Sequence, residues 1–336
     1  MLKAKTPNGI DVNIPENMDE DPSTHFLTSE TQEIKDYYDD YGYAVIKGVI
    51  EPEICDELRE CWNKEIKNFN GTIYRQTTCK AEKNIFNDKG WVMNPILNIQ
   101  SINRDLFPSF STVGTKKVIA NNKFSKVISS LLDDDPKIVQ SMYFEGNSAT
   151  WEHQDTYYLD SEHIGSMIGS WIAIEDIAPL AGRFFIVPKS HKIQIDEHNI
   201  KNNVATKHDD YIQTVINHYK ESNCEVRAPA LSKGDLLIWH SKTIHGSLDT
   251  QDNNSSRSSV TIHAIPNKHN FLQQQTRVIN TKTDQIGNVH FYRPKDQASY
   301  INKFIKYIES TIPTPFYLLK KLLILAMMRF KSLKSS

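Results

Sequence analysis

From Lys137 onward the chain falls into short β-rich runs at residues 138–144, 169–174, 184–187, 235–240 and 259–265, each set off by turn residues. Helical crossovers long enough to join parallel strands are missing between most of them, so the connections are those of antiparallel pairs. Strands of this kind bury their apolar faces by stacking as sheets or by closing on themselves, which predicts a sandwich or barrel. Upstream, YYDDYGYAVIKGVIEPEICDELRECW reads as a strand over residues 43–50 followed by a helix that Pro52 opens at a favoured early position. Residues 122–132 have helical character, and 70–112 mix Gly, Asn and Pro with short apolar runs, as covering loops do. Residues 1–30, polar and holding three prolines, read as an irregular arm.

With 336 residues, 39% of them hydrophobic, the chain has enough apolar material for a sizeable core. Its 39 basic residues nearly balance 41 acidic ones, so no global charge draws it to nucleic acid. Cys55, Cys61, Cys79 and Cys224 form no Cys-x-x-Cys pair, and the N-terminus lacks a signal-like apolar stretch. A reducing, cytoplasmic setting is the expectation.

Within WEHQDTYYLD, His153 and Asp155 stand two positions apart, and in an extended strand their side chains share one face. Alone the pair reads as an ordinary ion pair. The segment HSKTIHGSLDTQDNNSSRSSVTIH supplies His240 and His245, either of which can provide a third ligand. Two imidazoles and one carboxylate on one face leave adjacent coordination positions open, an arrangement suited to non-haem Fe(II), whereas zinc more often takes a closed tetrahedron. A hairpin turning at residues 249–256 would bring His245 and Arg257 to one mouth, where a guanidinium can clamp the far carboxylate of a dicarboxylic acid.

His153-Gln154-Asp155, then His245, then Arg257 resembles the Fe(II)/2-oxoglutarate dioxygenases of the phytanoyl-CoA dioxygenase family. QSMYFEGNSATWEHQD and GSWIAIEDIAPLAGRFFIVPKSHK are similar to the family's ligand-bearing loop and following strand and turn, and the likeness spans about residues 30–270. It implies a mainly β fold with flanking helices around a double-stranded β-helix (jelly-roll, cupin-like) core at about 137–270, within a dioxygenase domain of residues 31–290. It implies that His153, Asp155 and His245 ligate iron, that Arg257 pairs with the distal carboxylate of 2-oxoglutarate with help from Ser247, and that Trp171 and Gln140 line the cosubstrate pocket. On this alignment His240 is a packed histidine, and His191 and His263 are structural or support the ligands. Two departures stand out: Lys189 occupies a turn position usually held by glycine, and Glu145 stands near where many members carry lysine.

The activity so implied consumes 2-oxoglutarate and O2, releases succinate and CO2, and hydroxylates, desaturates or cyclises at an unactivated C–H bond of a small organic substrate. Related halogenases replace the carboxylate ligand with a small residue, so Asp155 argues for oxygenation. A non-catalytic jelly-roll sensor, or a cupin-type metal enzyme that does not use oxygen, are the competing readings. Tyr157, Tyr158 and Asp160 follow the ligand strand and can line a substrate pocket, with residues 193–219 as a lid. Lys189, Lys192, Lys201 and Lys207 offer a basic mouth for an acyl thioester, against a plain solvated loop. Residues 291–336 read as a helical tail. Its segment FYLLKKLLILAMMRFKSLK is too short and too charged for a span, and suits a docked helix or one lying in a membrane interface.

Overall fold

The computed structural model describes residues 1–193, 208–221 and 224–332. Its principal elements are helix α1 (Thr31–Tyr41), strand β1 (Tyr43–Ile46), α2 (Pro52–Cys61), α3 (Asn122–Leu132), β2 (Pro136–Phe144), β3 (Thr150–His153), β4 (Ile168–Ala173), β5 (Phe184–Ile186), α4 (His208–Glu221), β6 (Leu236–His240), β7 (His245–Ser247), β8 (Ser259–Pro266), α5 (Tyr300–Thr311) and α6 (Pro313–Ser332).

The larger sheet runs β2-β8-β4-β6-β1 through its centre, every one of these pairings antiparallel. Its edges are extended by Val289–Tyr292 on β2 and His25–Phe26 on β1, both parallel. A smaller antiparallel sheet, β5-β7-β3, faces it. Two opposed sheets sharing one interior make the jelly-roll core that the β-rich texture predicts. Sheet strands continue to Tyr292, beyond the expected end of the core near residue 270.

Strand alternation sorts the larger sheet into two faces. Ile172, Leu236, Ile238, Val260 and Ile262 point outward and are buried under α1, α2 and α3 through Ile34, Leu58, Phe124 and Ile128. Tyr43, Val45, Trp171, Leu237 and Trp239 point inward and meet Phe184 and Ile186 of the smaller sheet. The helices end where their sequences dictate. Pro52 begins α2, and the Asn121 side chain accepts from Lys123 N at 2.8 Å to cap α3. Gly42 closes α1 at φ +77, and a Cβ there would meet the His191 ring at 2.3 Å, so only glycine fits the α1–β1 corner.

Two expectations require correction. Residues 1–30 are not an irregular arm: Leu2–Lys5 and Asp11–Ile14 form a β-hairpin whose Ala4, Val12 and Ile14 pack on Phe185 and Leu248. Its prolines sit outside the paired residues, at Pro7 in the turn and Pro15 after the second strand, so they do not interrupt the ladder. The predicted hairpin around residues 249–256 does not form either. β7 pairs with β3 and β5 whereas β8 pairs with β2 and β4, so the intervening segment crosses between sheets. Of the segment expected as a lid, the described part holds helix α4, whose Tyr211, Val215 and Tyr219 pack on Val187 and Ile244, and residues 194–207 lie outside the described residues.

Candidate metal centre

The smaller sheet builds the centre. His245 opens β7 and is the register partner of His153, the last residue of β3. The register then slips between His245 and Ser247, which pairs with Thr150, so a bulge lies beside the candidate ligands. Asp155 does not continue the strand as the i, i+2 argument assumed; it starts a single 3-10 turn, Asp155–Tyr157, that carries its carboxylate back toward both imidazoles. Asp155 Oδ1 lies 3.8 Å from His153 Nε2 and 3.6 Å from His245 Nε2, and ligand atoms of the three residues all lie within 4.8 Å of one another.

Protonation follows from the hydrogen bonds. His153 Nδ1 donates to Trp151 O at 2.8 Å and His245 Nδ1 to Thr243 O at 2.9 Å, because a carbonyl can only accept. Both Nε2 lone pairs are therefore free and aimed at one point, the tautomer a metal requires. Burial pushes His245 down to about 3, with the Asp155 carboxylate opposing the shift, so the ring is neutral at physiological pH. Burial alone would raise Asp155, but His245, His263 and His153 outweigh it and hold the carboxyl well below the usual range. Its second oxygen is anchored: Oδ2 accepts from Trp239 Nε1 at 2.7 Å and lies 3.2 Å from His263 Nε2. One oxygen is thus tied to the fold and the other left for a cation.

Trp239 and His263 come from β6 and β8, either side of Gly169 on β4. A Cβ at Gly169 would fall 2.1 Å from the Trp239 ring, so that glycine makes room for the indole to reach Asp155. His240, the rival ligand, is the next residue on β6 and faces the other way. Its Nδ1 accepts from Lys242 N at 3.1 Å, and its ring lies near Tyr38 of α1 and His191. His191 Nε2 bonds Asp39 O at 3.1 Å, a packing role.

Arg257 is buried without an acidic partner among the described residues. Its Nη1 donates to Gly182 O at 2.9 Å, its Nε meets no acceptor, and its guanidinium lies 5.6 Å and 5.7 Å from the Phe144 and Trp171 ring centres. Burial pushes it down to about 9. A guanidinium keeps its proton in proteins, so this cost appears as affinity for an anion instead. Glu145 does not neutralise it: the carboxylate bonds Lys67 Nζ and Val92 N, each at 2.7 Å, while its backbone carbonyl accepts from Arg257 N at 2.8 Å. The ring of Phe184 links the two ends of the interior, stacked 5.3 Å from His245 and 6.4 Å from Trp171.

The remaining predicted residues divide. Trp171 is buried on the inner face of β4, and Gln140, half-buried, is in register with His263 on the inner side of β2. The Ser247 hydroxyl accepts from Thr150 N at 3.0 Å and donates to Asn147 Oδ1 at 3.2 Å, bracing the bulge. Tyr158 stands beside the cluster, its ring 5.8 Å from that of His153 and its hydroxyl 2.8 Å from His208 Nε2. Tyr157 is stacked on Tyr211 at 3.7 Å, inside the packing of α4. Asp160 is fully buried and accepts from Ser241 Oγ and the backbone of Gly165 and Met167, so it organises a turn and does not line a pocket.

A family model described as phytanoyl-CoA dioxygenase (PhyH) matches residues 38–258. The chain belongs to the phytanoyl-CoA dioxygenase family. Among its relatives, phytanoyl-CoA dioxygenase domain-containing protein 1 of Danio rerio is 24% identical over 273 residues, covering 71% of this chain and 90% of the relative. Phytanoyl-CoA dioxygenase 1 of Oryza sativa subsp. japonica is 26% identical over 280 residues, covering 74% and 95%. The shorter match to a homologue from Caenorhabditis briggsae, 25% identical, takes in 47% of this chain and 59% of that protein. Of solved structures, the non-heme alpha ketoglutarate dependent epimerase SnoN from nogalamycin biosynthesis superposes with a TM-score of 0.55 at 12% identity, over 79% of this chain and 98% of that one. That likeness is one of fold. Family membership makes the protein an Fe(II)/2-oxoglutarate-dependent dioxygenase, with iron and 2-oxoglutarate as its cofactors, and the donor set of His153, Asp155 and His245 fits that metal.

Proposed function

We propose that this enzyme oxidises an unactivated C–H bond of a small organic substrate, by hydroxylation or by the desaturation or ring closure that the same oxidising centre supports. The assignment gives the iron to His153, Asp155 and His245, and the distal carboxylate of 2-oxoglutarate to Arg257. The observation that carries it is the buried Arg257, which among the described residues has an unpartnered Nε and no acidic partner, across an aromatic interior from three candidate ligand atoms already turned toward one another. A site for a cation and a site for a carboxylate within one cavity are what a chelating 2-oxo diacid needs.

When bound, iron and 2-oxoglutarate together supply the oxygen-activating chemistry, with succinate and CO2 as coproducts. The chain supplies the rest. Trp151 O and Thr243 O hold the two imidazoles in the Nε2-free tautomer, and Trp239 keeps Asp155 aimed. Trp171, Phe184 and Trp239 line the interior with rings and keep bulk water from the metal. Tyr158 and the exposed Trp151, beside His208, form the rim nearest His153 and are the residues assigned to substrate. A thioester with its polyanionic carrier is not favoured: Lys189 and Lys192 are paired with Asp40 at 3.0 Å and 2.7 Å, and Lys201 and Lys207 lie outside the described residues.

The test is anaerobic titration of the Fe(II)-loaded protein with 2-oxoglutarate, followed by oxygen. A weak visible charge-transfer band and then succinate are expected. Properly loaded iron that gives no band would sink the assignment, as would His240→Ala losing iron while His245→Ala retains it.

A further inference from the structure

Helix α5 is mounted inside out. Its apolar residues recur at the spacing of one helical face, the pattern that normally seats a helix on a core. Here the polar face is the one against the protein. Glu309 is buried, accepting from Tyr74 Oη at 2.9 Å, from Ala81 N at 3.0 Å and from the Tyr317 hydroxyl of α6. Lys303 Nζ reaches Asp105 at 2.6 Å and Lys306 Nζ reaches Gln297 at 3.2 Å. The apolar face is consequently left in solvent, with Ile301 74%, Phe304 64% and Tyr307 66% exposed. On α6, which follows directly, Leu318 and Leu322 are likewise 59% and 55% exposed. A contiguous apolar surface rimmed by charge marks an interaction site.

Charge identifies what covers it. Residues 300–336 hold seven Lys and Arg against the single Glu309, in a chain whose overall formal charge is −2. Lys320 and Lys321 lie exposed in sequence between Leu319 and Leu322. Two copies of this tail brought face to face would oppose like charges, whereas an anionic bilayer surface meets both the cations and the apolar face at once. Tyr300 and Tyr307 add amphipathic rings of the sort that settle at headgroup depth. No helix among the described residues is long and apolar enough to cross a membrane, so the contact is parallel to the surface. We propose that α5 and the first turns of α6 form a docking surface for anionic lipid bilayers, with Ile301, Phe304 and Leu322 entering the interface and Lys320 and Lys321 reaching back to the headgroups.

The experiment is flotation of the full-length protein with vesicles of phosphatidylcholine containing about one third phosphatidylserine, beside vesicles of phosphatidylcholine alone. Recovery with the anionic vesicles is expected to exceed that with neutral ones by about tenfold and to fall as salt is raised. Ile301→Asp with Phe304→Asp, and separately Lys320→Glu with Lys321→Glu, should each cut partitioning about tenfold or more. All four positions are on solvent-facing or half-paired surface, and an unchanged unfolding midpoint verifies that the variants are folded. Failure to float with either vesicle would overturn the proposal, as would equal recovery with both. A concentration-dependent dimer that the Asp pair abolishes would also overturn it, by assigning the face to a second copy.

Discussion

Trp239 gives its indole N–H to Asp155 Oδ2, and that bond separates a carboxylate fixed for metal from one free to turn. Trp239→Phe keeps the ring and removes the donor, so Fe(II) affinity should fall about 10- to 100-fold with the fold intact, read by anaerobic Fe(II) titration and circular dichroism. An unchanged Fe(II) dissociation constant would show that the bond does not orient the ligand. Arg257→Ala should behave differently. Iron binding survives while 2-oxoglutarate weakens by about 100-fold or more, because a buried carboxylate then lacks its partner, and the charge-transfer titration measures it directly. The three candidate ligands that the structure brings together, His153, Asp155 and His245, could be named from residue types and order. His240 against His245 was open to spacing alone, and alternation along LLIWH turns His240 away from the cluster: Leu237 and Trp239 face in, so His240 faces α1. Neither Trp239 nor His263 carries a motif. Their signal is register across β4, which no single strand contains.

At the scale of elements, β4 couples the sheet to the centre through Gly169, where the Trp239 ring fills the place of a side chain. Gly169→Ala should cost about 1–3 kcal/mol of stability and lower iron occupancy together, measured by denaturant unfolding and iron analysis of the same preparation. Asn121→Ala is the contrasting case: loss of the α3 cap should cost about 1 kcal/mol with iron occupancy unchanged, since that helix touches only the outer face. Strands and helices could be read because turn residues and Pro52 punctuate the chain. Pairing partners could not. A turn-rich stretch between two strands looks the same whether it closes a hairpin or carries the chain to the opposite sheet, and residues 248–258 do the latter. The N-terminal hairpin was hidden for a related reason: Val12 and Ile14 alternate with polar residues over too few positions to stand out, and their partner surface, Phe185 and Leu248, lies far along the chain.

For the whole molecule, a metal bound only by the folded state adds to its stability. At about 100 times its dissociation constant, Fe(II) should contribute about 2.7 kcal/mol, so removing it with a chelator should lower the thermal midpoint by a few degrees in the native protein and not in His245→Ala. A midpoint that chelator lowers equally in both would place the metal elsewhere. The pairing of His153 with His245 has a further consequence, for the order of events as the chain is made. The residues are hydrogen-bonded strand neighbours, yet β4, β5, α4 and β6 all lie between them in sequence. A nascent chain that has emerged only as far as α4 holds two of the three proposed ligands. On the proposed assignment such a pair is expected to hold iron only weakly, so loading would await the return of β7, after most of the barrel has been translated.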